Sequence, residues 1–219
     1  MGQSLLEPAA RGVATDAAPL RWEWRCFSDA PLRAAVAPYV QGDVGAIGLE
    51  TYILSRRSPH NVKIRRGRLE VKERERTGHG GLELWRPSLG EQFPVSATAL
   101  SVVARALAGA PPPDGDAPWS AATFLAQYVA RDPALRAVSI TKQRVRLDVG
   151  PCRGEHVTLD VGGRHWESVA FEDADPWRVL DAVAALRWSV ADNTSYPAAL
   201  KRITGVTTPD AAPTRQETV

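Results

Sequence analysis

Apolar and charged residues alternate at every second position in several stretches of this chain, the pattern of a strand with one buried face. Between Asn61 and Arg76, Val62 and Ile64 alternate with Lys63 and Arg65. After a break at Arg66-Gly67, Leu69 and Val71 alternate with Arg68, Glu70, Lys72 and Arg74. Two such runs around a glycine predict a β-hairpin. Arg21 to Phe27 divides in the same way, with Trp22, Trp24 and Cys26 on one face and Arg21, Glu23, Arg25 and Phe27 on the other. Val138 to Leu147 places Ile140, Lys142, Arg144 and Arg146 together. Glu155 to Val161 buries Val157, Leu159 and Val161 and turns His156, Thr158 and Asp160 the other way. A tight turn at Gly162-Gly163 leads to a partner strand, Trp166 to Glu172. Leu49 to Leu54 and Leu82 to Arg86 complete the strands.

Helical spacing governs the remaining apolar residues. It predicts helices over Pro31 to Val40, over Pro94 to Ala108 with Ser96 as cap, and over Trp119 to Ala130. Another starts at Pro176 behind Asp175, and a last one spans Ser195 to Ile203. Strands, helices, strands, helices is the order of an α+β domain with an antiparallel sheet. The expected organisation is one domain over 19–206. Its halves, 19–109 and 119–206, are joined by the proline-rich loop 110–118, with disordered tails at 1–18 and 207–219.

Composition changes this picture in two ways. A net charge of only +2 excludes a bulk polycation, so any anion binding must come from local arrangement. Two cysteines without a CxxC pair argue against a disulfide scaffold or a zinc site, and a reduced, cytoplasmic protein is expected. No signal peptide or membrane span is expected either. His156 and His165 read as surface residues, Cys152 as a turn cysteine, and Trp22, Trp24 and Trp166 as packing aromatics.

Candidate chemistry follows from the charged strand faces. They carry ten cations (Arg21, Arg25, Lys63, Arg65, Arg68, Lys72, Arg74, Lys142, Arg144 and Arg146) against four acids, Glu23, Glu70, Asp160 and Glu172. If the strands close into a barrel, these faces share one interior, which repels itself when empty and suits a polyanion. Arginine forks match phosphate oxygens, and lysine supplies point charges. Carboxylates in such a site can hold a divalent metal against phosphate. Cations interleaved with core residues do not form the exposed stripe that nucleic acid needs.

Four landmarks, in order, resemble the CYTH superfamily, the triphosphate tunnel metalloenzymes. They are KIR at Lys63–Arg65, LEVK at Leu69–Lys72, KQR at Lys142–Arg144 and SYPAAL at Ser195–Leu200. The chain also resembles a less studied bacterial branch that opens with an ExR strand, here Glu23–Arg25, and carries ExWxP, here Glu83–Pro87. The resemblance implies an eight-stranded antiparallel β-tunnel with helices packed outside. It also implies a triphosphate, polyphosphate or nucleotide held by Arg25, Lys63, Arg65, Lys72, Arg74, Lys142 and Arg144. Mg²⁺ or Mn²⁺ would then sit on Glu23, Asp160 and Glu172. The family's opening ExExK is here Arg21-Trp22-Glu23-Trp24-Arg25, and of its late ExE only Glu172 remains. Two functions therefore stay open: a metal-dependent triphosphatase, and a tunnel that binds or senses a polyanion without turning it over.

Overall fold

The computed structural model describes residues 19–112 and 118–206. The expected tails, and 113–117 of the proline-rich loop, lie outside the described residues. The order along the chain is β1 (Arg21–Ser28), α1 (Arg33–Val36), β2 (Val40–Gln41), β3 (Gly48–Ser55), β4 (Asn61–Arg65), β5 (Arg68–Gly78) and β6 (Leu82–Gln92). Then come α2 (Ala97–Leu107), α3 (Ala121–Thr123), β7 (Leu135–Val149), β8 (Cys152–Val161), β9 (Arg164–Asp173), α4 (Pro176–Ala185) and α5 (Tyr196–Thr204).

Hydrogen bonding runs β7-β3-β4-β5-β6-β1-β9-β8, and β8 pairs back onto β7. Eight antiparallel strands therefore close into a barrel, the fold that the resemblance implied, and no sheet edge is left among them. The two-residue β2 is an unforeseen addition at one end of β7. Both expected tight turns form: Arg66-Gly67 (φ 52° and 70°) and Gly162-Gly163 (φ 62° and 81°) take the left-handed pair that matches strand twist. Strand β6 runs further than its sequence suggests. The expected strand ends at Arg86, yet Pro87 pairs with Lys72 at a register shift in the β5–β6 ladder. An irregularity of this kind is where a strand tolerates a missing N–H.

Strand parity sorts the side chains. Outward-facing Ile53, Val62, Leu69 and Val71 pack under α2 through Val103 and Leu107. Outward-facing Trp24, Val169 and Phe171 pack under α4 through Val179 and Val183. The helices cap where expected: Ser96 accepts from Ala99 N–H and Asp175 from Trp177 N–H. The helix expected over Trp119–Ala130 starts as one α-turn, α3, and continues as a π-helix over Phe124–Val129.

The inward faces change character along the barrel axis. At one end they are apolar: Leu54, Val138, Ile140, Val157, Leu159 and Val161 close around Tyr196 and Leu200 of α5. Moving along the same strands, Leu54 gives way to Tyr52 and Glu50, Ile140 to Lys142 and Arg144, and Val157 to Glu155 and Arg153. Helix α5 therefore plugs one end of the barrel, and the charged residues gather toward the other.

Candidate functional site

A cavity of about 500 Å³ occupies the charged end. This volume lies in the range of pockets that enclose a small molecule. Its lining carries eight cations: Arg25 from β1, Lys63 and Arg65 from β4, Lys72 from β5, Lys142, Arg144 and Arg146 from β7, and Arg153 from β8. Against them stand four carboxylates, Glu23, Glu70, Glu155 and Glu172. Six of the seven expected anion-binding residues meet here. A smaller lobe of about 280 Å³ adjoins it, sharing Glu23, Lys72, Arg153 and Glu172 and walled by Trp85 and Pro87.

The carboxylates are already engaged. Glu23 Oε1 accepts from Arg25 Nε at 2.9 Å. Glu155 accepts from Arg25 through Oε1 at 2.8 Å, and its Oε2 stands 2.7 Å from Arg144 Nε. That second contact lacks hydrogen-bond alignment, since the Arg144 Nε–H has no partner. Glu70 takes Arg65 at 2.8 Å, and Glu172 lies 3.4 Å from Arg153 and 4.0 Å from Lys72. Burial alone would raise the Glu155 carboxyl, but Arg25 and Arg144 reverse this and hold it near 2. Burial likewise opposes the charge on Arg25. Glu23 and Glu155 overcome that, and the guanidinium stays charged well above its ordinary range.

The floor is a second network. Glu50, 4% exposed, sits beneath the lining and receives three donors on Oε2: Lys142 at 2.7 Å, Lys63 at 3.1 Å and the Tyr52 hydroxyl at 3.2 Å. Its carboxyl would rise through burial, yet Lys63 and Lys142 hold it near 2. Lys142 Nζ also lies 4.5 Å from the centre of the Tyr196 ring, and Arg25 lies at the same distance. Tyr196 stacks on Tyr52 with centroids 5.2 Å apart, so the plug helix supplies one tile of the floor.

Two expected site residues stand elsewhere. Arg74 faces inward, but it lies deeper than Lys72 and is held by Glu83 at 2.7 Å, outside the cavity lining. Its level is set by irregular β5–β6 pairing on either side of it, which residue spacing does not reveal. Asp160 is on the wrong face altogether. Its Oδ1 accepts from Gly163 N–H at 3.0 Å, stabilising the β8–β9 turn. The parity that buries Val157, Leu159 and Val161 already turns Asp160 outward.

Metal ligation can be tested on these donors. Glu23 and Glu172 are cross-strand neighbours, but Asp160 cannot join them. Among the described residues, no group of three or more His, Cys, Asp and Glu side chains converges to hold an ion. The expected three-carboxylate site is therefore not formed, and Glu23 with Glu172 could hold a divalent ion only with phosphate oxygens completing its shell.

Glu155, Glu50, Arg153, Tyr52 and Tyr196 were missed by sequence reading. Glu155 carried a signal, since it shares parity with Val157, and Glu50 shares parity with Tyr52 and Leu54. Arg153 precedes the strand expected from Glu155, but β8 begins at Cys152. Cys152 is accordingly a buried strand residue, its thiol pushed up by burial to about 12, which leaves it unreactive. His156 is buried as well, with Nε2 2.8 Å from Glu167 on the outer face, whereas His165 is exposed.

No family model matches the chain, and no curated protein matches it. Solved structures do. One is a Bacillus halodurans protein assigned provisionally as an adenylate cyclase, 11% identical, covering 84% of this chain and 97% of that one at a TM-score of 0.44. PH1012 protein from Pyrococcus horikoshii OT3 is 11% identical and covers 82% and 98% at 0.45. PH1819 protein from the same organism is 11% identical and covers 84% and 99% at 0.41. These likenesses are too weak to bear on function.

Proposed function

We propose that this barrel binds the end of a short polyanionic chain, of the tripolyphosphate or nucleoside triphosphate kind, without a protein-held metal. One observation carries the reading. Eight lysine and arginine side chains face one cavity whose four lining carboxylates all lie within 4.0 Å of one of them. Charges packed this densely repel one another in a partly desolvated space, and an incoming polyanion relieves that repulsion. Guanidinium groups on several strands can grip phosphate oxygens from different sides. The plug formed by α5 makes the cavity blind, so a chain enters end-on.

Calorimetric titration with tripolyphosphate and with ATP tests this. Binding of at least one is expected, weakened tenfold or more in Lys72→Ala and Arg144→Ala. No phosphate release is expected with Mg²⁺ or Mn²⁺ present. Absence of binding at any pH would remove the reading, and steady phosphate release would reinstate a metal-dependent triphosphatase.

A further inference from the structure

The chain contains 23 arginines and only four lysines. Three of the four, Lys63, Lys72 and Lys142, line the cavity. Arginine is charged at every physiological pH, whereas a lysine that is buried or crowded can lose its proton. A chain that elsewhere relies on arginine thus places lysine in the cavity and its floor, where a titratable amine has consequences.

The floor geometry sets the consequence. Lys63 and Lys142 share one carboxylate oxygen, Glu50 Oε2, and both lie against the Tyr52 ring, at 5.7 and 5.6 Å from its centre. Glu70 lies 3.7 Å from Lys63 and Arg65 lies 3.9 Å from Glu50, so Lys63, Lys142 and Arg65 face two carboxylates and one positive charge is in excess. Lys142 is the more enclosed, with a side chain 5% exposed against 12% for Lys63. The groups facing it are Arg25 on β1, Glu50 and Tyr52 on β3, Lys63 and Arg65 on β4, Glu70 on β5, Arg144 on its own strand, Glu155 on β8 and Tyr196 on α5. Glu70 and Glu155 are taken up by Arg65, Arg25 and Arg144, and both tyrosines are held neutral by burial. On β9, Glu172 stands farther toward the mouth, with Arg153. On β6, Glu83 is bound to Arg74.

We propose that the cavity takes up a proton together with its anion, and that the amine of Lys142 receives it. The inference rests on the anion-binding reading above. Without ligand, burial and the repulsion of Lys63 lower the Lys142 ammonium to about 7, against the pull of Glu50. A polyanion adds negative charge above this floor and restores the ordinary preference for the ammonium form. By linkage, affinity then falls as pH rises above 7, by up to about tenfold per pH unit for one proton.

Calorimetry of tripolyphosphate binding at pH 8, in two buffers of different ionisation enthalpy, counts the protons taken up. Tripolyphosphate titrates too, so the comparison is with Lys142→Arg, in which the charge is permanent. Wild type is expected to take up more protons than Lys142→Arg, with the difference approaching one. If that variant does not fold, the ¹³Cε signals of the four lysines are followed in wild type against pH. One signal should titrate near neutrality without ligand and move to higher pH with tripolyphosphate bound. Binding with equal proton uptake in both proteins, or four lysines all titrating above pH 9, would overturn the proposal and leave the anion-binding reading intact. Failure of wild type to bind at pH 6 as well would remove that reading, and this one with it.

Discussion

Glu155 sets one oxygen on Arg25 and the other beside Arg144, two of the groups proposed to hold the anion. It offsets part of the cavity's positive charge, and it would compete with the proposed anion. Replacing it should therefore move stability and affinity in opposite directions. Glu155→Gln is expected to lower the stability of the free protein by about 1–3 kcal/mol, because Arg25 is left buried with only Glu23 opposite it. The same change should tighten tripolyphosphate binding by roughly tenfold, since two guanidinium groups are freed. Urea unfolding and calorimetry on one sample decide the matter, and loss of both stability and affinity would place Glu155 on the ligand's side. Lys142 makes a pH-dependent prediction. Its ammonium is lowered in the fold to about 7, from an ordinary value of 10.5. Between those limits the unfolded chain holds more protons than the folded one, so wild-type stability gains from Lys142 as pH rises from 7 toward 10. Below 7 both states are protonated and the contribution is flat. Wild type should accordingly gain on Lys142→Met between pH 7 and pH 9.5, and not between pH 5.5 and 6.5. A difference constant across all four pH values would show that Lys142 keeps its proton throughout.

At the scale of elements, most of the barrel was legible because the side-chain period of a strand is two. Trp22, Trp24, Val62, Leu69 and Val71 against Arg25, Lys63 and Lys72 tell inside from outside without knowledge of any partner strand. The sequence assignment of Asp160 to the site ignored that same rule. What parity cannot give is depth along the barrel axis. Arg74 and Lys72 share a face, yet one pairs with Glu83 and the other lines the cavity, and the difference arises from register shifts in β5–β6. Nor can parity show that the amphipathic helix at the end of the described chain seats in the apolar end of the barrel instead of on its wall. Helix α5 reads as an ordinary capped helix, but Leu200 is fully buried among strand residues of the lumen. Leu200→Ala should cost about 2–5 kcal/mol, the range for emptying a packed leucine site. Because α5 plugs the lumen, the loss should also loosen Tyr196 beneath Lys142 and Arg25 and weaken tripolyphosphate binding. A stability loss with unchanged affinity would show that the floor is fixed by the strands alone.

For the molecule as a whole, charge is partitioned by location. On the outer surface Glu73 and Glu75 hold Arg86, Asp132 holds Arg57, and Asp173 lies 3.7 Å from Arg178. The arginine of each pair is exposed to solvent, so these pairs add little stability, but they keep the outside near neutral. The positive excess is concentrated inside the barrel, which is how a chain with net charge +2 can present a strongly cationic site. The ligand should then act as a stabiliser, since the unfolded chain disperses these cations and binds the anion poorly. At a free concentration of 100 times Kd, tripolyphosphate is expected to add about 2.7 kcal/mol. For a domain of this size that corresponds to a rise in Tm of about 5–10 °C. Raising NaCl from 0.05 to 0.5 M should shrink the rise, because attraction at the open mouth is screened. Chain length gives the sharper discrimination. A blind cavity accepts a chain end and excludes chain interior, so at equal total phosphate a long polyphosphate offers far fewer sites than tripolyphosphate. Thermal unfolding should therefore show a smaller shift for the long chain, growing as it is cut into shorter pieces. An equal shift per phosphate would mean that the anion lies along the outside of the barrel, and that the cations of the lumen are not its site.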